Sequence, residues 1–386
     1  MMRRAGMQRG GEGAAQQRGV GPMATNQMTA SSEEIWARCE RFLGGHGPIR
    51  PHEALAELAA AAAPDERADV YGAGALIEDF EQEVAAILGM EAAVFLPSGT
   101  MAQQIALRIW SEWKHVPTVA FHPMCHVETK EEKGYQRLHG LHARLVGDAR
   151  RLMTLADLRG VAEPIAALLI ELPQRDLGGQ LPTWEELTAQ VAWARERGAA
   201  VHMDGARLWE SAPFYDRPYT EIAALFDSVY VSFYKGVGAI AGSALAGSAA
   251  FIAEARVWQV RHGGRMVQLY PYILSARTKL RQRLHRFAHY HARAVEVAAV
   301  LRSVPGVIIK PDPPQTHMMH VYLHGDPERM MAAALKLARE ERLYLFRSLR
   351  PTDLPEWSMF ELSIGDAADA LTDDEIRDAF TRVMTA

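Results

Sequence analysis

Residues 199–243 read AAVHMDGARLWESAPFYDRPYTEIAALFDSVYVSFYKGVGAIAGS, and two short apolar runs within them decide the fold class. Residues 199–203 run straight into Asp204, and residues 228–233 run into Tyr234-Lys235-Gly236. Each run is strand-sized and almost wholly apolar, as expected of a strand covered on both faces in a parallel sheet. The two charged residues are 31 positions apart, about the length of one βα unit. That spacing predicts that both stand at the same edge of one sheet.

The cycle recurs upstream. Leu76, Phe80, Val84, Ile87 and Leu88 repeat at helical spacing over 75–88, with Gly89 as the stop. A predicted strand over 92–96 is followed by the turn Pro97-Ser98-Gly99-Thr100 and a helical pattern through Ile105 and Leu107. Another strand, 165–172, leads to a Gly178-Gly179 loop; Thr183-Trp184-Glu185-Glu186 then opens a helix as a capping box, ending near Gly198. Repeated βα units predict an α/β fold with a mostly parallel sheet covered by helices.

The pattern changes after about residue 275. A long basic helical stretch, 276–301, ends at Pro305-Gly306. Predicted strands at 307–309, 318–323, 343–346 and 360–364 then alternate with helices 327–341 and 373–384, the last opened by a capping box from Thr372 to Glu375. The expected organisation is a large domain over 29–275 and a smaller α+β domain over 276–386. Residues 1–28, rich in Gly, Gln, Arg and Met, read as a disordered extension that cannot bury enough surface to order itself.

With 386 residues, 48% of them hydrophobic and 23% charged, the chain can build a large core. A net charge of −5 leaves no basic excess to neutralise a nucleic-acid backbone. No apolar stretch approaches the ~20 residues that span a bilayer, and the two cysteines, Cys39 and Cys125, make no disulfide framework, which fits a reducing cytoplasm.

Lys235, between a buried strand and the small-residue loop Gly236-Val237-Gly238-Ala239, stands where α/β clefts bind ligands. Asp204, at the end of an apolar strand, needs a cationic partner, and Arg207 is the local alternative to a ligand. Ser98-Gly99-Thr100 begins a helix with free amides and two hydroxyls, suited to a phosphate or to an ordinary cap. His122-x-x-Cys125-His126 lacks a second ligand pair and is not read as a metal site. His320 and His324 are read as polar groups at a strand surface, roughly 13 Å apart and unable to share an ion. No Gly-x-Ser-x-Gly or dinucleotide fingerprint occurs.

Together these segments resemble the threonine aldolase and β-eliminating lyase family of fold-type-I pyridoxal-5′-phosphate (PLP) enzymes. The resemblance is carried by Asp69-Val70-Tyr71-Gly72, by 92–107 (AAVFLPSGTMAQQIAL), by 202–208 (HMDGARL) and by 227–243 (DSVYVSFYKGVGAIAGS). It implies that Lys235 is the Schiff-base lysine and that Asp204 faces the pyridine nitrogen. Ser98, Gly99 and Thr100 would cradle the phosphate, and His126 would stack on the ring and lie near the reacting hydroxyl. Arg207 would grip the substrate carboxylate, and Tyr71 would stand at the mouth of the site. Glu131 falls near a glutamate of the family pattern.

Three departures stand out. The family's N-terminal Ser-Asp-Thr is replaced by the region 39–46, CERFLGGH; the Gly-Met-Arg-Gln signature becomes Gly263-Gly264-Arg265-Met266-Val267-Gln268. The strand that carries a second carboxylate-binding arginine reads Met359-Phe360-Glu361-Leu362-Ser363, so Arg347 or Arg350 is the expected substitute. The implied activity is cleavage of a β-hydroxy-α-amino acid to glycine and an aldehyde by a cytoplasmic homodimer or homotetramer. The alternatives are another PLP reaction, such as β-elimination, decarboxylation or racemisation, or a non-catalytic protein of the same fold.

Overall fold

The computed structural model describes residues 30–386; the expectation for 1–28 lies outside them. The strands in chain order are β1 (Arg41–Phe42), β2 (Ala92–Leu96), β3 (Thr118–Phe121), β4 (His142–Leu145), β5 (Ala167–Glu171), β6 (Ala200–Gly205), β7 (Ser228–Ser232) and β8 (Ser243–Gly247). They continue with β9 (Val307–Lys310), β10 (Met318–His324), β11 (Leu343–Tyr344), β12 (Arg350–Pro351) and β13 (Trp357–Ser363).

Seven strands form the main sheet in the order β2-β8-β7-β6-β5-β3-β4. Only β8 runs against its neighbours; β7/β6, β6/β5, β5/β3 and β3/β4 are parallel. Every residue of β5, β6, β7 and β8 is buried, which is why these segments read as continuous apolar runs and not as alternations. One face packs on a core containing Phe80, Phe95, Phe233 and Trp209, and the other on Ile105, Ile109, Phe121 and Phe251.

A second sheet, β12-β13-β10-β9, is antiparallel and holds its own core around Val321, Phe360 and Phe380. In β13 burial alternates strictly, so Phe360 and Leu362 face that core and Glu361 between them faces away.

The structure revises four local expectations. The long basic helix is two helices, Tyr270–Arg283 and Phe287–Arg302, separated by a 3₁₀ turn at Leu284–Arg286. There Arg283, Arg286 and Tyr290 converge on the Asp366 carboxylate at 2.9, 2.9 and 2.5 Å. The strand predicted at 343–346 shrinks to β11, which pairs in parallel with β1 near the N-terminus instead of joining the second sheet. The capping box at Thr183 is only half made, because Thr183 accepts from Glu186 N while the Glu186 side chain accepts from Leu155 N. His320 is buried at 7% exposure and not on a surface, whereas His324 is exposed and lies 3.3 Å from Glu356.

Candidate active site

Because β8 alone is reversed, β2, β3, β5, β6 and β7 all deliver their C-terminal ends to one edge of the sheet. The residues just beyond those ends include Ser98, His126, Arg175, Arg207 and Lys235. Parallel strands thereby gather chemistry from five distant parts of the sequence at one edge of the sheet, where α/β folds bind ligands.

Asp204 is the last residue but one of β6 and is 2% exposed. Its Oδ1 accepts the Ala206 N–H at 3.1 Å, and no described hydrogen bond reaches the other oxygen. Burial raises its pKa, while His126 and Arg207 pull it back down.

Lys235 follows β7 in a loop closed by Gly238 N to Lys235 O at 2.9 Å and Ala239 N to Phe233 O at 2.7 Å. Gly236 is required here, because an added Cβ would stand 2.5 Å from Glu210 Oε1. The Lys235 ammonium sits 5.1 Å from the centre of the Tyr234 ring and has no hydrogen bond or ion pair among the described residues. Burial lowers its pKa, and the cations Arg207 and Arg175 lower it further, against Asp204 and Glu361. Lys235 and Asp204 thus stand at the C-terminal ends of the neighbouring parallel strands β7 and β6, at one edge of the sheet.

The helix Gly99–Lys114 begins at this edge, with Ser98 as its cap accepting from Met101 N at 3.4 Å. Gly99 N donates to Tyr234 Oη at 3.2 Å, and a Cβ at 99 would fall 1.8 Å from Tyr230 Oη. Only glycine fits. Thr100 follows in the first turn, whose amides have no acceptor within the helix.

His126 opens the short helix His126–Thr129 after β3. Its Nδ1 lies 3.0 Å from Glu131 Oε1, and its backbone N–H donates to Glu171 at 3.2 Å. Glu131 is buried, its second oxygen without a partner. A carboxylate on Nδ1 favours the tautomer that leaves Nε2 free to accept a proton. His122, by contrast, is taken up by Asp148 O, Arg151 O and Met124 N.

Arg207 is half-buried, and its guanidinium has no hydrogen bond or ion pair among the described residues. Tyr71 stands apart: it is 50% exposed, on a turn tied down by Val267 O and Arg265 Nε, with no described contact to the residues above. Arg347 and Arg350 are both exposed, Arg350 on the edge strand β12.

Sequence reasoning missed Glu171, Arg175, Tyr230 and Glu361. Arg175 lies in the 3₁₀ turn Arg175–Leu177 after β5, with its Nε 2.9 Å from Glu361 Oε2. For Glu171 and Arg175 the missed signal was polar residues at and after the end of an apolar strand, the same signal that singled out Asp204; Tyr230 and Glu361 lie inside strands and carried no such signal.

A family model for β-eliminating lyases matches residues 50–324. The chain belongs to that family. Low-specificity L-threonine aldolase 1 of Arabidopsis thaliana is 28% identical over 302 residues, covering 76% of this chain and 83% of the relative. The low specificity L-threonine aldolase of Escherichia coli K12 is 30% identical, over 70% of this chain and 81% of its own. Among solved structures, a putative L-allo-threonine aldolase from Listeria monocytogenes superposes with a TM-score of 0.87 at 41% identity, covering 93% of this chain and 99% of that one. A putative aromatic amino acid β-eliminating lyase/threonine aldolase from Exiguobacterium gives 0.87 at 42%, over 92% and 99%. This member of the family is a fold-type-I, PLP-dependent lyase.

The residues present fit that cofactor. An unpaired amine of lowered pKa suits an aldehyde. A buried carboxylate with one uncommitted oxygen suits a protonated ring nitrogen, and a helix start too close for any Cβ suits a phosphate.

Proposed function

We propose that the enzyme cleaves the Cα–Cβ bond of an L-threonine-like β-hydroxy-α-amino acid, releasing glycine and an aldehyde. The observation that carries this reading is the unpaired Lys235 amine at the same edge of the sheet as buried Asp204 and unpaired Arg207.

Lys235 is the residue that would hold PLP, with Ser98, Gly99 and Thr100 at its phosphate, Asp204 at its ring nitrogen and His126 against its ring. When bound, the cofactor supplies a sink for the electron pair left on Cα. Asp204 keeps the ring nitrogen protonated through opposite charge in a dry site. Arg207 holds the substrate carboxylate and so sets which Cα bond lies in position to break. His126, fixed by Glu131, accepts the β-hydroxyl proton at Nε2, directly or through a water it holds. The Cα–Cβ bond then breaks, the β-carbon leaves as the aldehyde, and a proton returned to Cα completes glycine. Tyr71 would border the entrance.

The chemistry lies at one edge of the large domain, read as 29–275, with 276–386 as the smaller domain, whose first residues Ala276, Leu280, Phe287 and Tyr290 still pack on the main core. A homodimer or homotetramer fits the exposed apolar residues Val70, Tyr71 and Val267, at 57, 50 and 56%, and the free thiols of Cys39 and Cys125 fit a cytoplasmic location. Among the described residues no helix is long and apolar enough to cross a membrane.

The test is incubation of the PLP-loaded protein with threonine, allo-threonine and phenylserine. Release of aldehyde and glycine is expected. The second reading, β-elimination, decarboxylation or racemisation of an amino acid, is favoured by the carboxylate of Glu361 on the strand where an arginine was expected. Keto acid with ammonia, carbon dioxide, or inverted substrate in place of aldehyde would decide for it.

A further inference from the structure

Arg207 alone holds a carboxylate by one fork, and the arginine expected on β13 is a glutamate. The replacement comes from the turn after β5. Arg175 stands beside the Asp204 end of the site, because it is hydrogen-bonded to Glu171, whose carboxylate lies within 4.8 Å of the Asp204 carboxylate. Arg175 reaches the cleft because of its loop. Its backbone N–H donates to Glu171 Oε1 at 3.0 Å, anchoring the turn to the end of β5. The following Gly178 and Gly179, both at positive φ, press against the second sheet: a Cβ on either would fall 2.4 Å from Lys310 O or 2.3 Å from Met318 Cγ. The turn is therefore clamped between the two sheets, and Glu361, forced outward by the alternation of β13, meets it there.

The contact is specific in its geometry. Arg175 Nε lies 2.9 Å from Glu361 Oε2, and its Nη2 donates to Glu361 Oε1 at 3.2 Å. Its Nη1 has only Asp176 at 3.8 Å, beyond hydrogen-bonding distance. Burial opposes ionisation of Glu361, but Arg175 and Arg207 together outweigh it and hold the carboxyl below its ordinary range. Glu361 is thus a fixed anion that locks the Arg175 fork, leaving one donor edge uncommitted. Neither Arg347 nor Arg350 has a comparable position.

We propose that Arg175 is the second substrate-binding arginine, which together with Arg207 grips the α-carboxylate of the amino acid, and that Glu361 is the positioning residue that orients it. This rests on the amino-acid reading above, but not on which Cα bond is broken. A simple strut between the two sheets is the competing account of the Arg175–Glu361 pair, and the two accounts differ in what they say about a ligand without a carboxylate.

The test is equilibrium binding of glycine and of glycinamide to the PLP-loaded protein, followed by the visible spectrum. Arg175→Ala should weaken glycine by about 10- to 100-fold, the range of a charge-assisted hydrogen bond, and leave glycinamide within about twofold. Arg175→Lys, which keeps the charge but loses the fork, should fall between and guards against loss of folding. Glu361→Gln should weaken glycine by about 10-fold with glycinamide unmoved, and Arg350→Ala should change neither. Equal weakening of both ligands, or of neither, by Arg175→Ala and Arg175→Lys overturns the proposal in favour of a strut. Wild type that prefers glycine through Arg175 but releases no aldehyde from any β-hydroxy-amino acid would refute the aldolase reading and leave this one standing.

Discussion

Glu171 and Asp204 are register partners on the parallel strands β5 and β6, and their carboxylates approach within 4.8 Å of each other and of Cys125 Sγ. Two carboxylates this close, with Asp204 2% and Glu171 9% exposed, do not both ionise cheaply. Burial raises the pKa of Glu171, and the Asp204 charge raises it again. Asp204 has His126, Arg207 and the Ala206 amide to favour its anion, and the N–H donors of His126, Gln174 and Arg175 favour that of Glu171; burial and the Asp204 charge outweigh them and leave the Glu171 pKa above the ordinary glutamate range.

A stability measurement can read that shift. The folded pKa of Glu171 lies above its unfolded one, so its contribution is full below the ordinary glutamate range and is lost as pH rises towards the raised value. Glu171→Gln should gain on wild type from pH 5 to pH 8, by at most ~1.4 kcal/mol per unit. Denaturant midpoints at three pH values check it; parallel curves would contradict a neutral Glu171.

Asp204→Asn keeps the shape of the side chain and removes its charge. Loss of one electrostatic stabiliser of ~2.7–4 kcal/mol should cut kcat by on the order of 10²–10³-fold. Cofactor retained on gel filtration, measured beside kcat, separates this from simple loss of PLP.

Lys235→Ala should abolish covalent attachment of the cofactor. Borohydride reduction followed by peptide mass analysis should label the peptide containing Lys235 in wild type and no peptide in the variant. A label elsewhere in wild type would reassign the lysine.

Gly99→Ala drives a methyl to within 1.8 Å of Tyr230 Oη, a buried group that has little room to retreat. The variant should lose ~1–3 kcal/mol of stability by overpacking, and its PLP affinity should fall as the helix start shifts. Adding Tyr230→Phe, which removes the clashing oxygen, should recover part of both in thermal melts and cofactor titrations.

His202 is fully buried between Ser228 Oγ at 2.8 Å and Gln103 Oε1 at 2.7 Å, and burial lowers its pKa to about 3. The unfolded chain takes up this proton at an ordinary histidine value while the folded protein does not. Stability supplied above that value is therefore lost as pH falls towards 3, by ~1.4 kcal/mol per unit at most. Replacement by Gln should flatten the acid limb of a stability profile between pH 7 and pH 5.

What the sequence by itself determined was local. Apolar runs over 92–96 and 228–232 could only be buried strands, and the helix 75–88 follows from its periodicity and the stop at Gly89, which adopts a left-handed φ of 66°. Asp204 and Lys235 were legible for the same reason: a charge terminating an apolar strand has no solvent to satisfy it and must meet a ligand or a partner. Tertiary structure decided the partners. Glu171 faces Asp204 only through the parallel register of β5 and β6, and Arg175 meets Glu361 across 186 residues only because a glycine turn docks on a second sheet. Spacing along a chain encodes periodicity within one element, whereas contact between elements depends on strand order and packing, which no single segment carries.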